Sequence, residues 1–218
     1  MAVERAFGTL DGVDPWQPSL FGSGAVAVDA SFARADRRAL DRGAWVEVVP
    51  GWLAGADELF DRLLGRLPWR SREVVMYDRK LPEPRCTARV PLDEAGDWAP
   101  ELADMAAALG RRYGETFDSV GANLYRSGTD SVAWHADRHA RGPDHADAVV
   151  AIVSLGSARR FLMRPTGGGR SVGFDPGPGD LLVMGGTSQR TWQHTVPKRA
   201  AAGPRISLTF RHPVGRRP

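Results

Sequence analysis

The sequence predicts a mainly β domain with flanking helices, an α+β fold whose core is a sandwich or barrel. After residue 117, short apolar runs alternate with Gly, Pro and Asp turns, which is typical of many short strands rather than of βαβ units. Two amphipathic helical stretches precede this region. With 218 residues and a hydrophobic content of 42%, the chain is sufficient for one domain with its own core.

The elements can be assigned in chain order. Residues 1–43 contain Gly and Pro breaks without sustained periodicity, so we expect an extended N-terminal arm ahead of a domain that spans 44–218. A strand is predicted at 44–50, and a helix at 55–67 because its leucines and Phe60 recur at helical spacing. A further strand (72–78), a segment interrupted by prolines (79–91) and a second helix (100–114) with Pro100 in its first turn follow.

Composition narrows the classes of function. The net charge of +3 and the pI of about 9.5 favour a polyanionic partner only weakly. Cys86 is the only cysteine, which excludes an internal disulfide and a multi-cysteine zinc site. No apolar run is long enough to span a membrane, and the first residues lack the features of a secretory signal. We therefore expect a cytoplasmic monomer that does not cross a membrane.

The hexapeptide WHADRH contains a candidate metal site. In a strand, residues i and i+2 lie on one face, so His135 and Asp137 could bind one ion, although a polar bend would explain the same pair. His194, in the predicted strand TWQHTV, is the best candidate for a third ligand. Two imidazoles and one carboxylate leave three positions open, as in non-haem Fe(II) oxygenases. A helical zinc site on His135 and His139 is disfavoured, because Ala136 stands where such enzymes place a glutamate.

Two other predicted strands carry polar side chains that could bind an anion. The segment RISLTFR alternates strictly, so that one face holds Arg205, Ser207, Thr209 and Arg211. A buried arginine requires an anion such as a carboxylate, whereas on an edge strand both arginines would simply be solvated. In SVGANLY, Asn123 and Tyr125 also share a face and could donate hydrogen bonds to carboxylate oxygens, or could be ordinary polar strand positions.

Together these motifs resemble the AlkB-type Fe(II)/2-oxoglutarate-dependent dioxygenases. The segments NLYRSG, WHADRH, VAIVSLG, DLLVMGG, QHTVP and PRISLTFR follow the order and spacing of that family across residues 118–212. The resemblance implies a double-stranded β-helix, or jelly-roll, with its core at about 117–212. It also implies a hairpin on the substrate side at about 72–92.

The resemblance also implies roles for individual residues. The metal ligands, which are also the catalytic residues, would be His135, Asp137 and His194. The cofactors would be Fe(II), 2-oxoglutarate and O₂. The cosubstrate would contact Asn123, Tyr125, Arg205, Ser207 and Arg211, with Arg205 and Tyr125 at its distal carboxylate. Ser207 stands where the family has an asparagine, which would alter these contacts.

The implied activity is oxidative dealkylation of N-alkylated bases in DNA, and in RNA, with release of formaldehyde, succinate and CO₂. The base would have to be flipped or single-stranded to reach the metal. The candidate substrate contacts are Tyr77, Arg85, His139 and Arg164. His139 occupies a position that is acidic in several family members, which weakens the case for a cationic base. Alternatives are a dioxygenase acting on RNA, a protein or a small molecule, or a non-catalytic jelly-roll binding module.

Overall fold

The structure, a computed structural model, describes residues 12–14, 24–76, 79–137 and 147–211, without the side chains of residues 72–82. Within these ranges the strands are β1 (Ala27–Val28), β2 (Asp36–Ala39), β3 (Ala44–Val49), β4 (Leu53–Ala54), β5 (Arg70–Met76), β6 (Arg79–Pro91), β7 (Ser119–Tyr125), β8 (Val132–His135), β9 (Val150–Gly156), β10 (Phe161–Pro165), β11 (Val172–Phe174), β12 (Leu181–Gly186), β13 (Trp192–Val196) and β14 (Arg205–Arg211). The helices of the same ranges are α1 (Ala56–Arg66), α2 (Leu92–Ala95), α3 (Glu101–Tyr113) and α4 (Ser188–Thr191).

Two antiparallel sheets form the body of the molecule. The large sheet has eight strands in the order β2-β3-β12-β9-β14-β7-β6-β5, and the small sheet has four in the order β11-β10-β13-β8. A separate two-stranded pair joins β1 to β4. The strand β14 lies between β9 and β7, so it is a central strand with a hydrogen-bonded neighbour on each side.

The large sheet separates two apolar cores. On one face Ile206 and Phe210 of β14 are fully buried in the cluster that also holds the apolar faces of α1 and α3. On the other face Tyr125 and Ile152 pack in a second cluster with Phe161 and other apolar residues of the small sheet. The alternation read from RISLTFR is therefore confirmed, since its apolar residues face the helices and its polar residues face the small sheet.

Both long helices end where local chemistry requires it. The helix α3 follows Pro100, whose fixed φ of −58° suits a helix start, and it stops at Gly114, whose φ of 72° is the left-handed conformation that glycine adopts most readily. The helix α1 ends as Leu67 becomes extended. No helix in the described ranges combines the length and the apolar character needed to cross a membrane.

Of the predicted N-terminal arm the structure describes residues 12–14 and 24–43, and the strands β1 and β2 of the second part pair with β4 and β3. In the β2–β3 pair, Arg37 lies opposite Glu47 and donates its Nε–H to that buried carboxylate over 2.8 Å. The guanidinium of Arg37 also stacks on Trp45, 3.9 Å from the ring centroid. The predicted boundary at residue 43 thus falls in the turn that connects the paired strands β2 and β3. Since β2 is exposed along its whole length, hydrophobic alternation could not reveal it.

The strands β5 and β6 pair antiparallel within the range of the predicted hairpin. The segment interrupted by prolines is thus a strand of 13 residues, and it continues the large sheet because β6 also pairs with β7. In this pairing Thr87 lies opposite Asn123, and Cys86 is buried in the core on the helix side. Arg85, next to Cys86, therefore lies on the face of the sheet that is turned towards the small sheet.

Candidate metal centre and anion pocket

The pairing of β8 with β13 brings His135 and His194 together. The two residues are direct cross-strand partners, and their ring centroids lie 4.2 Å apart. The register shifts between this pair and the next, Val132 opposite Val196, so β8 contains an irregularity of the bulge type. Between these two pairs the chain advances by three residues on β8 but by only two on β13. As a result, His135 and Val132 both lie opposite buried residues of β13. The ring of Phe161 stacks on His194 at 5.4 Å.

Asp137 lies two residues beyond the end of β8, so a continuing strand does not orient it, contrary to the expectation from strand periodicity. Its backbone N–H donates to Gln189 Oε1 over 3.0 Å, and its Oδ1 accepts from Arg211 Nη2, also over 3.0 Å. Its Oδ2 is buried without a hydrogen-bond partner among the described residues. One ligand atom each of His135, Asp137 and His194 lies within 4.8 Å of the others.

The protonation states suit cation binding. Nδ1 of His135 is 2.8 Å from the carbonyl oxygen of Ala133, which can only accept, so Nδ1 carries the proton and Nε2 is left for a metal. Burial, and then the neighbouring His135, lowers the pKa of His194 to about 3, which keeps this imidazole neutral. Burial acts to raise the pKa of Asp137, but the charge of Arg211 and its hydrogen bond to the carboxylate outweigh this effect, so the pKa is lowered and the carboxyl is ionised.

Arg205 forms the second part of the site. Only 1% of its surface is exposed, and burial lowers the pKa of its guanidinium to about 10, so it is still a cation at neutral pH. Its Nη2 donates to Ser154 Oγ over 2.8 Å, and its guanidinium lies 5.4 Å from the centroid of the Tyr125 ring. No carboxylate of the described residues forms an ion pair with it, and its Nε has no partner there. A buried guanidinium without a carboxylate partner is a candidate binding site for an anionic ligand, because such a ligand would offset the cost of burying its charge.

The predicted cosubstrate residues share the face of the large sheet that is turned towards the small sheet. Tyr125 lies opposite Arg205, and Asn123 lies opposite Ser207 and donates its Nδ2–H to Ser207 Oγ over 3.3 Å. Arg211, at the other end of β14, contacts the metal-site carboxylate. The solvated edge-strand alternative is therefore excluded for Arg205, because β14 is central and Arg205 is buried.

Among the predicted substrate residues, Arg85 lies on the same face as the cosubstrate residues, and its charge helps to lower the pKa of His194. It is paired with Glu83 at 2.6 Å, and both side chains are less than one-fifth exposed. Tyr77 and His139 lie outside the described residues.

The structure does not bring Arg164 to the metal site. Its neighbour Met163 is the cross-strand partner of His194, so Arg164 points to the opposite, outer face of the small sheet. There its guanidinium stacks on Trp134 at 4.1 Å and its Nη2 donates to Gln193 over 3.3 Å. A contact of Arg164 with substrate would therefore lie outside the pocket.

Sequence reasoning missed two buried polar residues of the site. Ser154 is the one polar side chain in the apolar run VAIVSLG, and that exception was a usable signal. Gln189 lies on α4 and accepts from the backbone of Asp137, but nothing in TSQRT separates it from an ordinary polar turn.

Known proteins share both this sequence and this fold. Residues 47–211 match the family model described as the 2OG-Fe(II) oxygenase superfamily. The chain is 34% identical over 189 residues to the Bos taurus protein named alpha-ketoglutarate-dependent dioxygenase alkB homolog 3, and the match covers 75% of this chain and 64% of that relative. It is 33% identical over 192 residues to DNA oxidative demethylase ALKBH2 of Arabidopsis thaliana, and this match covers 70% of this chain and 60% of that relative. The chain thus spans slightly less than two thirds of the length of these relatives.

Solved structures agree on the fold. A prolyl hydroxylase from Trichoplax adhaerens, in complex with a peptide fragment of hypoxia inducible factor, superimposes with a TM-score of 0.55 at 16% identity, over 77% of this chain and 83% of that one. The structure of OsALKBH1 gives 0.52 at 15% identity, over 81% and 100%. The predicted jelly-roll fold, mainly β with flanking helices, is therefore confirmed.

The chain belongs to the 2OG-Fe(II) oxygenase superfamily, since the family model spans most of its length. Within that superfamily its sequence relatives are AlkB-type proteins, which confirms the resemblance found in the motifs. Membership implies Fe(II), 2-oxoglutarate and O₂ as cofactors, as predicted. The site fits the metal because three ligand atoms converge and a buried oxygen of Asp137 has no partner among the described residues. It fits the diacid because Arg205 is a buried cation that has no carboxylate partner among the described residues.

Proposed function

We propose that this chain is an Fe(II)- and 2-oxoglutarate-dependent dioxygenase that oxidatively dealkylates N-alkylated bases in DNA, and in RNA. The observation that carries the proposal is the convergence of His135, Asp137 and His194, together with a buried Arg205 that has no carboxylate partner among the described residues. The relatives named dioxygenase and DNA oxidative demethylase supply the class of substrate. A monomeric state and a cytoplasmic location stay predictions.

The three ligand side chains are already in the protonation states that binding of a ferrous ion requires. His135 would bind through Nε2, since the carbonyl of Ala133 fixes its other nitrogen. His194 needs no deprotonation because it is neutral, and Asp137 is held by a backbone bond and an ion pair that leave Oδ2 free. Bound Fe(II), with 2-oxoglutarate and O₂, supplies the oxidation of the N-alkyl group, and succinate, CO₂ and formaldehyde are the products.

The large sheet would hold the cosubstrate. Arg205 would bind the distal carboxylate, because a guanidinium binds a carboxylate through two parallel hydrogen bonds. Tyr125 and Ser207 would add hydroxyl groups beside it, and Asn123 would contact the other end. Arg211 would hold Asp137 in place and line the same pocket.

The substrate would enter from the side of β6. Arg85 lies close enough to the metal site to lower the pKa of His194. A base must be flipped or single-stranded to reach that site. Its partner Glu83 offsets the charge of Arg85, so the mouth of the pocket there is locally neutral. Arg164 could contact only a part of the nucleic acid that runs over the outer face of the small sheet. Tyr77 and His139 stay predicted contacts.

Mass spectrometry of oligonucleotides tests the proposal directly. Strands that carry N-methyl or etheno lesions, in DNA and RNA, are incubated with protein, Fe(II), ascorbate and 2-oxoglutarate. We expect loss of the alkyl mass, together with formaldehyde for the methyl lesions and equimolar succinate. Asp137→Ala should abolish turnover while thermal unfolding still shows a folded protein.

The outcomes separate the alternatives. Succinate release without any change in nucleic acid would point to a protein or small-molecule substrate. No binding of Fe(II) by the wild-type chain would indicate a non-catalytic jelly-roll module, and full activity in Asp137→Ala would show that the ligands are misassigned.

A further inference from the structure

Ser154 is a buried polar residue to which the proposed reaction assigns no role. It lies on β9, directly opposite Ser207 of β14, and only 1% of its surface is exposed. Its backbone is fully engaged, because its N–H donates to the carbonyl of Asp180 over 2.9 Å and its carbonyl accepts from the N–H of Gly179 over 2.8 Å. The sheet therefore fixes the backbone at Ser154 and the direction of its Cα–Cβ bond.

The hydroxyl group of Ser154 accepts a hydrogen bond but donates none to the described residues. Oγ accepts a hydrogen bond from Arg205 Nη2 over 2.8 Å, and a guanidinium can only donate, so the proton of Ser154 must point elsewhere. The described residues offer it no recorded acceptor. Its cross-strand neighbour Ser207 interacts instead with Asn123, on the other side. A donor thus stands beside a buried cation, and both face the same space.

We propose that Ser154 is a further cosubstrate-binding residue, whose hydroxyl donates to the distal carboxylate held by Arg205. This inference rests on the proposed function. In the complex, Ser154 accepts from the guanidinium and donates to the carboxylate, so the three groups form a closed set of charge-assisted hydrogen bonds.

This arrangement also sets specificity at the distal end of the cosubstrate. The serine hydroxyl and the guanidinium can both donate to one group, and an ionised carboxylate, which has two oxygens that only accept, can accept from both at once. A 2-oxo acid that lacks a second carboxylate would leave the guanidinium and the hydroxyl buried without a partner. Ser154 therefore helps to select a 2-oxo diacid over a 2-oxo monoacid.

The test compares two ligands on one variant. Mn(II) replaces Fe(II) so that no turnover occurs, and calorimetry measures the Kd of 2-oxoglutarate and of oxalate, which can chelate the metal but has no distal arm. Ser154→Ala should weaken 2-oxoglutarate roughly tenfold to a hundredfold, the range for a hydrogen bond to a charged group, and should leave oxalate unchanged. Ser188→Ala is the matched control, because that hydroxyl is equally buried and has no recorded contact with Arg205.

The outcomes are distinct. Equal weakening of both ligands would mean that Ser154 acts only on the fold or the metal, and an unchanged Kd for 2-oxoglutarate would mean that it does not touch the cosubstrate. Either result overturns the inference while the proposed function stands. If the wild-type protein binds neither Mn(II) nor 2-oxoglutarate, the proposed function fails as well.

Discussion

Replacing Arg205 by methionine should stabilise the metal-free protein and weaken cosubstrate binding at the same time. Burial lowers the pKa of this side chain from 12.5 to about 10, and at about 1.4 kcal/mol for each pKa unit the difference corresponds to roughly 3 kcal/mol against the cation. Loss of the hydrogen bond to Ser154 offsets about 1 kcal/mol of this. An apolar side chain of similar length should therefore raise the free energy of unfolding by about 2 kcal/mol.

Thermal unfolding tests both expected changes, the gain in stability and the loss of cosubstrate binding. For a chain of this size, 2 kcal/mol raises Tm by roughly 4–8 °C when neither metal nor ligand is present. With Mn(II) and 2-oxoglutarate at about a hundred times its Kd, the wild type should gain about 2.7 kcal/mol and the variant almost nothing. Arg38→Met is the control, since that side chain is 66% exposed on β2 and should change neither quantity. A variant that is less stable, or one that binds 2-oxoglutarate as tightly as the wild type, would refute the reasoning.

Two further predictions concern the metal centre. Gln189→Leu removes the acceptor for the backbone N–H of Asp137, so Mn(II) affinity should fall about tenfold in calorimetry, whereas Gln193→Leu on the outer face should leave it unchanged. Lowering the pH from 6.5 towards 3 should destabilise the metal-free protein by up to about 1.4 kcal/mol per pH unit, because unfolded His194 takes up a proton that the folded side chain refuses. Urea unfolding of His194→Gln should show a shallower pH dependence, and an identical one would contradict the assigned cause.

Local patterns predicted the parts of the site that depend on a single strand. The two-residue period of RISLTFR correctly placed Arg205 and Ser207 on one face and Ile206 on the other. The same period separated Asn123 from the buried Leu124. These assignments succeed because side-chain direction along a regular strand is set by the strand itself, whichever strands become its neighbours.

Features that depend on pairing between distant segments could not be read from the sequence. The shifted register of β8 and the position of Asp137 beyond its end arise only once β8 meets β13. Arg164 was expected at the substrate, but the register of β10 against β13 turns it outwards. Gln189 was missed for the same reason, since its partner lies 52 residues away in the chain.

Two of the three proposed metal ligands lie on or just after β8, one of the two edge strands of the small sheet in the described ranges. The backbone ladder that ties β8 to β13 is interrupted beside His135, where the register shifts. A bound ion would link the two strands through their side chains at the position where the register of their backbone pairing shifts. Loss of the metal would therefore remove one link between β8 and β13, and we expect β8 to detach from the small sheet more readily in the metal-free protein.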